Sequence, residues 1–394
     1  MKDRGAAAAV LAAALAAAPA VAETELGADL RYYQFFIVED IDIDRRHAEI
    51  AVLRGKLESE IAEALQLEAH AVLAFNSPPR ISNSADILSG GTRRLLDLSV
   101  TLVDDDNVLG IAELDRLNLK WEHTDFDLVA GRQAVTWGVN YFWPVLDLFA
   151  PFAPEQIDRD YKAGVDAIRT VVPTGSFSEV EVIVAGQGEE LPEELSYASL
   201  GRLHSGTTDF GFMAGSFHED IVAGAFFSAD VSGVGIRGEL AYTDSGDPAD
   251  AEIDRETFAR ATFGVMRLLT PESTLVAEVS WNGFGADDPE GYARTAASDR
   301  VRRGEVSSLG RLYGGVSFGW QLSPLWTLSE AVLVNLDDDS VLLQSFADWS
   351  VTSALTVQLG ASVGFGDDLG PEGQIRSEYG AVPVNVWAAV KAFF

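Results

Sequence analysis

The amino-acid sequence predicts an all-β fold: a transmembrane, antiparallel, up-and-down β-barrel of about 18 strands. Three observations predict it. Apolar and polar residues alternate over long runs, as where Leu355, Val357, Leu359, Ala361, Val363 and Phe365 are set against Thr356, Gln358, Gly360, Ser362 and Gly364. Such runs of about 9 to 13 residues exceed the 5 to 6 usual in a soluble sandwich and match a tilted strand crossing a bilayer. The connections also sort by parity: alternate ones are tight, and the intervening ones include every long one. Finally, beyond residue 22 no segment has the roughly 18 to 20 apolar residues of a spanning helix, so closed strands are the remaining way across.

At the N-terminus, Lys2 and Arg4 precede an Ala-rich apolar run, and Ala20-Val21-Ala22 forms an A-x-A cleavage pattern. Residues 1–22 are therefore expected to be an export leader cut after Ala22, and 23–394 the barrel. Strands are expected at 26–36, 48–59, 64–75, 109–121, 126–136, 164–172, 177–186, 196–204 and 209–218. They continue at 220–229, 232–243, 257–268, 273–283, 309–321, 325–335, 340–349, 353–365 and 382–394. Residues 94–102 are assigned to a loop, because one more strand breaks the even count of single-chain bacterial barrels.

Tight connections fall at 60–63, 122–125, 173–176, 205–208, 230–231, 270–272, 322–324 and 350–352, several with turn chemistry such as Pro173-Thr174-Gly175. Long ones fall at 37–47, 76–108, 137–163, 244–256, 284–308 and 366–381. In the last strand Val384, Val386, Ala388, Val390, Ala392 and Phe394 make one apolar face ending on an aromatic residue. That ending resembles the terminal strand read by the barrel-assembly machinery of Gram-negative outer membranes, which makes Phe394 the expected recognition residue and the outer membrane the expected location.

Composition narrows the function. With 28 Lys+Arg against 61 Asp+Glu the formal net charge is -33, which repels phosphate backbones and excludes nucleic acid as a partner. The absence of Cys removes disulfides, thiolate catalysis and Cys-ligated metals. With five His, no H-E-x-x-H and no P-loop, neither an enzyme nor a cofactor is expected.

If the apolar face meets lipid, Arg54, Lys56, Glu68, Arg116, Lys120, Arg237, Glu239, Arg260 and Arg311 point into the lumen and form its candidate wall. A barrel of about 18 strands has room for an aqueous channel unless loops fill it. One loop is unlike the others: it carries Trp137, Trp143, Phe149 and three prolines, a poor composition for a solvated loop. It is expected to fold into the mouth and narrow it, with Asp147, Glu155, Asp158 and Asp160 facing the basic wall set, a transverse field that sorts polar solutes. The candidate constriction residues are Arg132, Trp137, Trp143, Asp147, Phe149, Asp158, Arg159, Asp160, Asp166 and Arg169. For Arg132, Asp166 and Arg169 a wall ion-pair network anchoring the loop is the equal alternative.

The stretches Gly131-Arg132-Gln133-Ala134-Val135-Thr136-Trp137-Gly138, Asp147-Leu148-Phe149-Ala150-Pro151 and Gly164-Val165-Asp166-Ala167-Ile168-Arg169 resemble a pattern of porin-like outer-membrane proteins. The chain is most similar to the broad alginate-export and substrate-specific porin group. That resemblance implies passive passage of a hydrophilic solute through a monomeric or homotrimeric barrel. An alginate exporter is expected to line its lumen mainly with Arg and Lys, whereas the inward set here mixes signs. On the long-loop side, Asp104-Asp105-Asp106 and Asp337-Asp338-Asp339 are candidate sites for a divalent cation shared with lipopolysaccharide; locally favoured Asp turns are the plainer reading.

Overall fold

The computed structural model describes residues 24–37, 47–77, 92–188, 194–245, 257–371 and 373–394. The expected leader lies outside these residues, as does most of the connections at 37–47 and 244–256. The chain runs through β1 (Thr24–Ile37), β2 (His47–Ala62), β3 (Leu65–Asn76), β4 (Ser99–Asp104), β5 (Leu109–Glu122) and β6 (Asp127–Gln133). Next come β7 (Val165–Gly175), β8 (Ser178–Gly186), β9 (Leu195–Ser205), β10 (Thr208–Phe217), β11 (Asp220–Val231) and β12 (Val234–Asp244). The circuit ends with β13 (Thr257–Thr270), β14 (Ser273–Asn282), β15 (Leu312–Ser323), β16 (Trp326–Asn335), β17 (Ser340–Thr352), β18 (Leu355–Phe365) and β19 (Asn385–Phe393). Two short helices, α1 (Tyr292–Ala296) and α2 (Asp299–Arg302), lie in the loop before β15.

All of these except β4 form an antiparallel 18-strand meander, closed where β1 pairs with β19 in the register Asp29↔Phe393 to Ile37↔Asn385. The backbone of Phe394 extends the seam, its N–H donating to Ala28 O at 2.8 Å. Closure leaves the wall no unpaired edge, the condition for strands to sit in lipid. Alternation assigns the two faces: Leu30 and Phe36 of β1 point outward and exposed, while Asp29, Arg31 and Tyr33 point inward and are buried. Trp326 and Trp349 stack with centroids 5.6 Å apart beside the tight turns, placed as an interfacial aromatic belt.

Two sequence assignments are corrected. Residues 99–104 are a strand, not a loop. β6 ends at Gln133 and pairs with β5 only over Leu117–Glu122, so the upper half of β5 lacks that neighbour. β4 takes the place, pairing Ser99↔Glu113 to Asp104↔Leu109. Because it sits in the row of β6 it adds no turn to the circuit, and the even count of the wall survives. The second correction is the turn expected at 230–231: β11 runs on through Val231, and Ser232 and Gly233 turn the chain with φ of 56° and 81°. Gly suits this left-handed pair of positions, and β-branched Val231 stays in the strand.

Candidate functional site

Segment 134–164 joins β6 to β7 and makes its contacts with the inner wall nearly all the way round. Val135, Trp137, Leu146 and Phe149 pack against inward residues of β7 to β12, including Ile183, Leu200, Met213 and Phe226. Phe142 and Trp143 pack on Tyr313, Leu333 and Leu342 of β15 to β17. Gln344 of β17 donates to Glu155 O at 2.9 Å, and Ile157 packs on the cluster of Tyr33, Phe35 and Trp387. The segment then returns along β1 to β5. Its composition explains the course: large apolar side chains with prolines find cover only against the apolar part of the inner wall.

Its backbone polar groups need partners too, and wall carboxylates supply them. Glu239 of β12 accepts from Val139 N at 2.5 Å, Asn140 N at 2.7 Å and Leu146 N at 2.9 Å. Glu278 of β14 accepts from Tyr141 N at 2.5 Å, Phe142 N at 2.8 Å and Trp143 N at 3.4 Å. Glu181 of β8 accepts from the Trp137 indole at 2.8 Å.

The returning leg is held by charge. Asp158 binds Arg31 Nη1 at 2.5 Å and the Tyr33 hydroxyl at 2.9 Å, and Asp160 binds Lys391 at 2.8 Å. Burial alone pushes the Asp158 carboxyl up, but Arg31 and Lys391 outweigh it and hold the group below the ordinary carboxylate value. Tyr161 lies under the guanidinium of Arg54 at 4.1 Å and that of Arg31 at 4.9 Å, and its hydroxyl donates to Asp29 at 2.8 Å. Lys162 pairs with Asp147 inside the loop; burial pushes the Asp147 carboxyl up against that pairing. Gly164 N donates to Asp115 Oδ1 at 3.1 Å, and Asp115 also binds Arg54 at 2.6 Å, Arg94 at 3.0 Å and Arg116 at 3.0 Å. Asp115 reaches all of these because it stands at a bulge of β5, where the register slips between His70↔Arg116 and Ala71↔Leu114.

Several sequence-level placements change. The loop carboxylates do not face the expected basic set: their partners are Arg31, Lys391 and Lys162, while Arg54 and Arg116 go to Asp115 and Arg260 goes to Glu305. Lys120 pairs with Glu122 and Asp127 close to a tight turn, and Arg237 donates to Val139 O. Glu68 accepts from Asn118 at 2.7 Å. Arg311 precedes β15, so strand alternation does not apply to it; it binds Asp287 in the loop.

Arg132 is 2% exposed and binds Asp166 at 2.8 and 2.9 Å and Leu114 O at 2.9 Å. By register it shares the outward face with Ile168, and the backbone of Leu96 covers it, so it anchors the β4 segment and lines no passage. Arg169 pairs with Glu181 at 3.6 Å. Trp137, Trp143 and Phe149 are buried packing residues. In the acidic clusters, Asp105 accepts from Asn107 N and Val108 N, Asp337 from Leu312 N, and Asp338 from Ser340 N and Glu378 N. Asp339 occupies the left-handed turn position at φ 57°. These are turn carboxylates, and no cation-sized group of three ligands occurs among the described residues.

Sequence reasoning passed over Asp115, Lys162, Tyr161 and Lys391. Lys391 was legible: it alternates with the apolar face of the last strand. The spelling G-x-S-x-G also occurs, at Gly315–Gly319 and Gly360–Gly364, but both copies lie inside regular strands and form no strand–turn–helix elbow.

The space between the loop and β15 to β19 remains open. A cavity of about 450 Å³ lies there, lined on the loop side by Tyr141, Gln156 and Arg159 and on the wall by Ser317, Gln344, Asp348 and Lys391. Asp348 accepts from the Gln358 amide, a neutral partner. Arg159 donates to the carbonyls of Ala153 and Pro154.

A closed 18-strand meander with an apolar exterior, a charged lumen and a long loop lodged in the bore defines the porin-type barrel class. Among solved structures, the chain is similar to the outer-membrane protein OprD from Pseudomonas aeruginosa at TM-score 0.58 and 10% identity, over 94% of this chain and 93% of that one. It is similar to the outer-membrane protein OpdK of the same organism at TM-score 0.55 and 10% identity, over 94% and 98%. It is similar to OccAB4 of Acinetobacter baumannii at TM-score 0.55 and 8% identity, again over 94% and 98%. At these identities the likeness is one of fold. No family model and no curated protein matches the sequence.

Proposed function

We propose that this chain is a channel of the Gram-negative outer membrane for passive passage of small hydrophilic solutes. The observation that carries the reading is the polar cavity beside the loop, in a barrel otherwise filled by that loop. A lumen of this strand number is wide enough for water, and filling one side leaves a bore of solute size. The fold neighbours support it: OprD and OpdK are outer-membrane proteins, and OpdK has been solved with vanillate. Asp160 and Asp348 stand against Arg159 and Lys391 in the cavity lining, opposed charges that suit polar solutes. The mixed signs speak for small solutes over a polyanionic polymer such as alginate. Phe394, 78% exposed at the end of the last strand, suits recognition by the assembly machinery, and the long-loop side suits contact with lipopolysaccharide.

Single-channel recording of the refolded chain in a planar bilayer under a KCl gradient tests the reading. Stable open steps support it, and the reversal potential reads the sign of its selectivity. A folded barrel without conductance overturns it in favour of a loop-closed receptor or structural barrel.

A further inference from the structure

We propose that Glu239 and Glu278 are positioning residues that latch segment 139–146 to the wall and thereby set the width of the bore, an inference that rests on the channel reading above. An irregular segment inside a barrel cannot satisfy its N–H groups the way a strand does, and leaving them bare in a packed lumen is costly. Here five consecutive N–H groups, 139 to 143, and that of Leu146 converge on two side chains of the wall. All four carboxylate oxygens are engaged: Glu239 takes two donors on Oε1 and one on Oε2, and Glu278 takes one on Oε1 and two on Oε2. Charge-assisted bonds of this kind are the strong ones.

Placement gives the latch its effect. It lies between the two apolar contacts of the segment, Leu146 on one wall and Phe142 with Trp143 on the other. Gly264 of β13, opposite Glu278 in the register, leaves room for it: a Cβ there comes within 2.8 Å of Glu278 Cγ and 3.1 Å of Oε1. Tyr141 and Phe142, held by Glu278, are also part of the cavity lining, and Tyr141 stands 5.8 Å below the Arg159 guanidinium. Release of the latch therefore frees the loop side of the passage. The same saturation with N–H dipoles makes these two glutamates poor charges for attracting a passing cation, although alternation places them inward like Asp348.

The chain contains no Cys, so a single thiol reports on the loop. Val145, 7% exposed in the loop's apolar contact, is replaced in V145C, and labelling by a membrane-impermeant maleimide is timed in the refolded barrel. The E239Q/E278Q pair in this background is expected to label at least about tenfold faster, since local opening governs access to a buried site. Heat-modifiable mobility on gels checks that the wall is folded. G264A keeps both carboxylates and displaces Glu278 sterically, so it is expected to act in the same direction, and it serves if the double variant does not fold. Unchanged labelling in a folded variant overturns the latch.

Conductance separates the latch from the channel reading. The variants are expected to raise single-channel conductance about twofold with little change in reversal potential. Unchanged conductance with selectivity shifted toward anions overturns the latch and makes the glutamates ordinary pore charges. Faster labelling in a barrel that never conducts preserves the latch and sinks the channel.

Discussion

The two sides of the lumen are built differently. Under β7 to β12 the loop meets an apolar wall, and Trp137, Leu146 and Phe149 bury themselves against Ile183, Leu200 and Met213. Under β15 to β19 the wall presents Ser317, Gln344, Asp348 and Lys391, and water-sized space remains. Both walls come from the same alternating pattern, so the difference lies only in which inward residues are apolar. A wide barrel is thus narrowed by making one arc of its interior a hydrophobic core and leaving the other wet. The backbone closes the wall on both sides; the side chains decide where the hole is.

That contrast is broken most directly by Trp137→Ala. The indole is 1% exposed and bonded to Glu181, so its loss leaves a cavity and an orphaned carboxylate, at a cost of about 3 to 5 kcal/mol. Phe346→Ala on the wet side removes a half-buried ring whose surface already borders the cavity, and about 1 kcal/mol is expected. Denaturant midpoints of the two variants in detergent micelles give the comparison, and equal losses overturn it.

Next in size is Asp115→Asn. This carboxylate is 1% exposed and faces three guanidiniums, with Gly164 N as a fourth donor. Neutralising it leaves uncompensated buried charge, which costs about 3 kcal/mol or more, and loosens the loop's exit into β7. Asp348→Asn on the wet side, where the partner is the neutral Gln358 amide, is expected to stay within about 0.5 kcal/mol.

How much of this was legible follows from what each signal encodes. Alternation along 355–365 or 273–283 reads out a strand and its faces because the period of two is local. Loop parity reads out closure because only a barrel separates its two rims. The inward course of segment 134–164 was legible as a composition, since Trp143, Phe149 and the prolines make a poor solvated loop. Its partners were not. Asp158 finds Arg31 and Asp160 finds Lys391 across more than a hundred residues of sequence, and only the closed register brings β1 and β19 side by side beneath the loop. Asp115 was hidden by its bulge, which breaks the alternation used to sort inward from outward. β4 was hidden by the parity rule itself, because a strand stacked above β6 in the same row adds an element without adding a wall position.

A smaller effect concerns pH and the returning leg of the loop. The Asp158 carboxyl is held below its ordinary value, burial raising it and Arg31 with Lys391 lowering it further. A depressed native value means the contact contributes fully above the unfolded value of about 3.9 and fades as pH falls below that. Asp147 and Glu155, pushed up by burial, act with the opposite sign at higher pH, so the informative quantity is wild type minus Asp158→Asn. That difference in denaturant midpoint is expected to be flat from pH 5 to 8 and to shrink toward pH 3. A difference that grows on acidification overturns the assignment.

The smallest effect probes the wet side alone. Asp348 hydrogen-bonds only a neutral partner there, the Gln358 amide, while Lys391 is tied to Asp160 and Arg159 rests on carbonyls. This wall carboxylate therefore carries the selectivity of the passage, whereas the large acidic excess of the chain as a whole does not reach it. In D348N the ratio of K⁺ to Cl⁻ permeability is expected to fall about twofold, with conductance and unfolding midpoint nearly unchanged, an effect below about 0.5 kcal/mol. The matched variant Asp115→Asn, on β5 away from the cavity, is expected to change stability without changing that ratio. If the ratio instead follows Asp115 and ignores Asp348, the ions pass along the β1 to β5 arc and the wet side under β15 to β19 is not the passage.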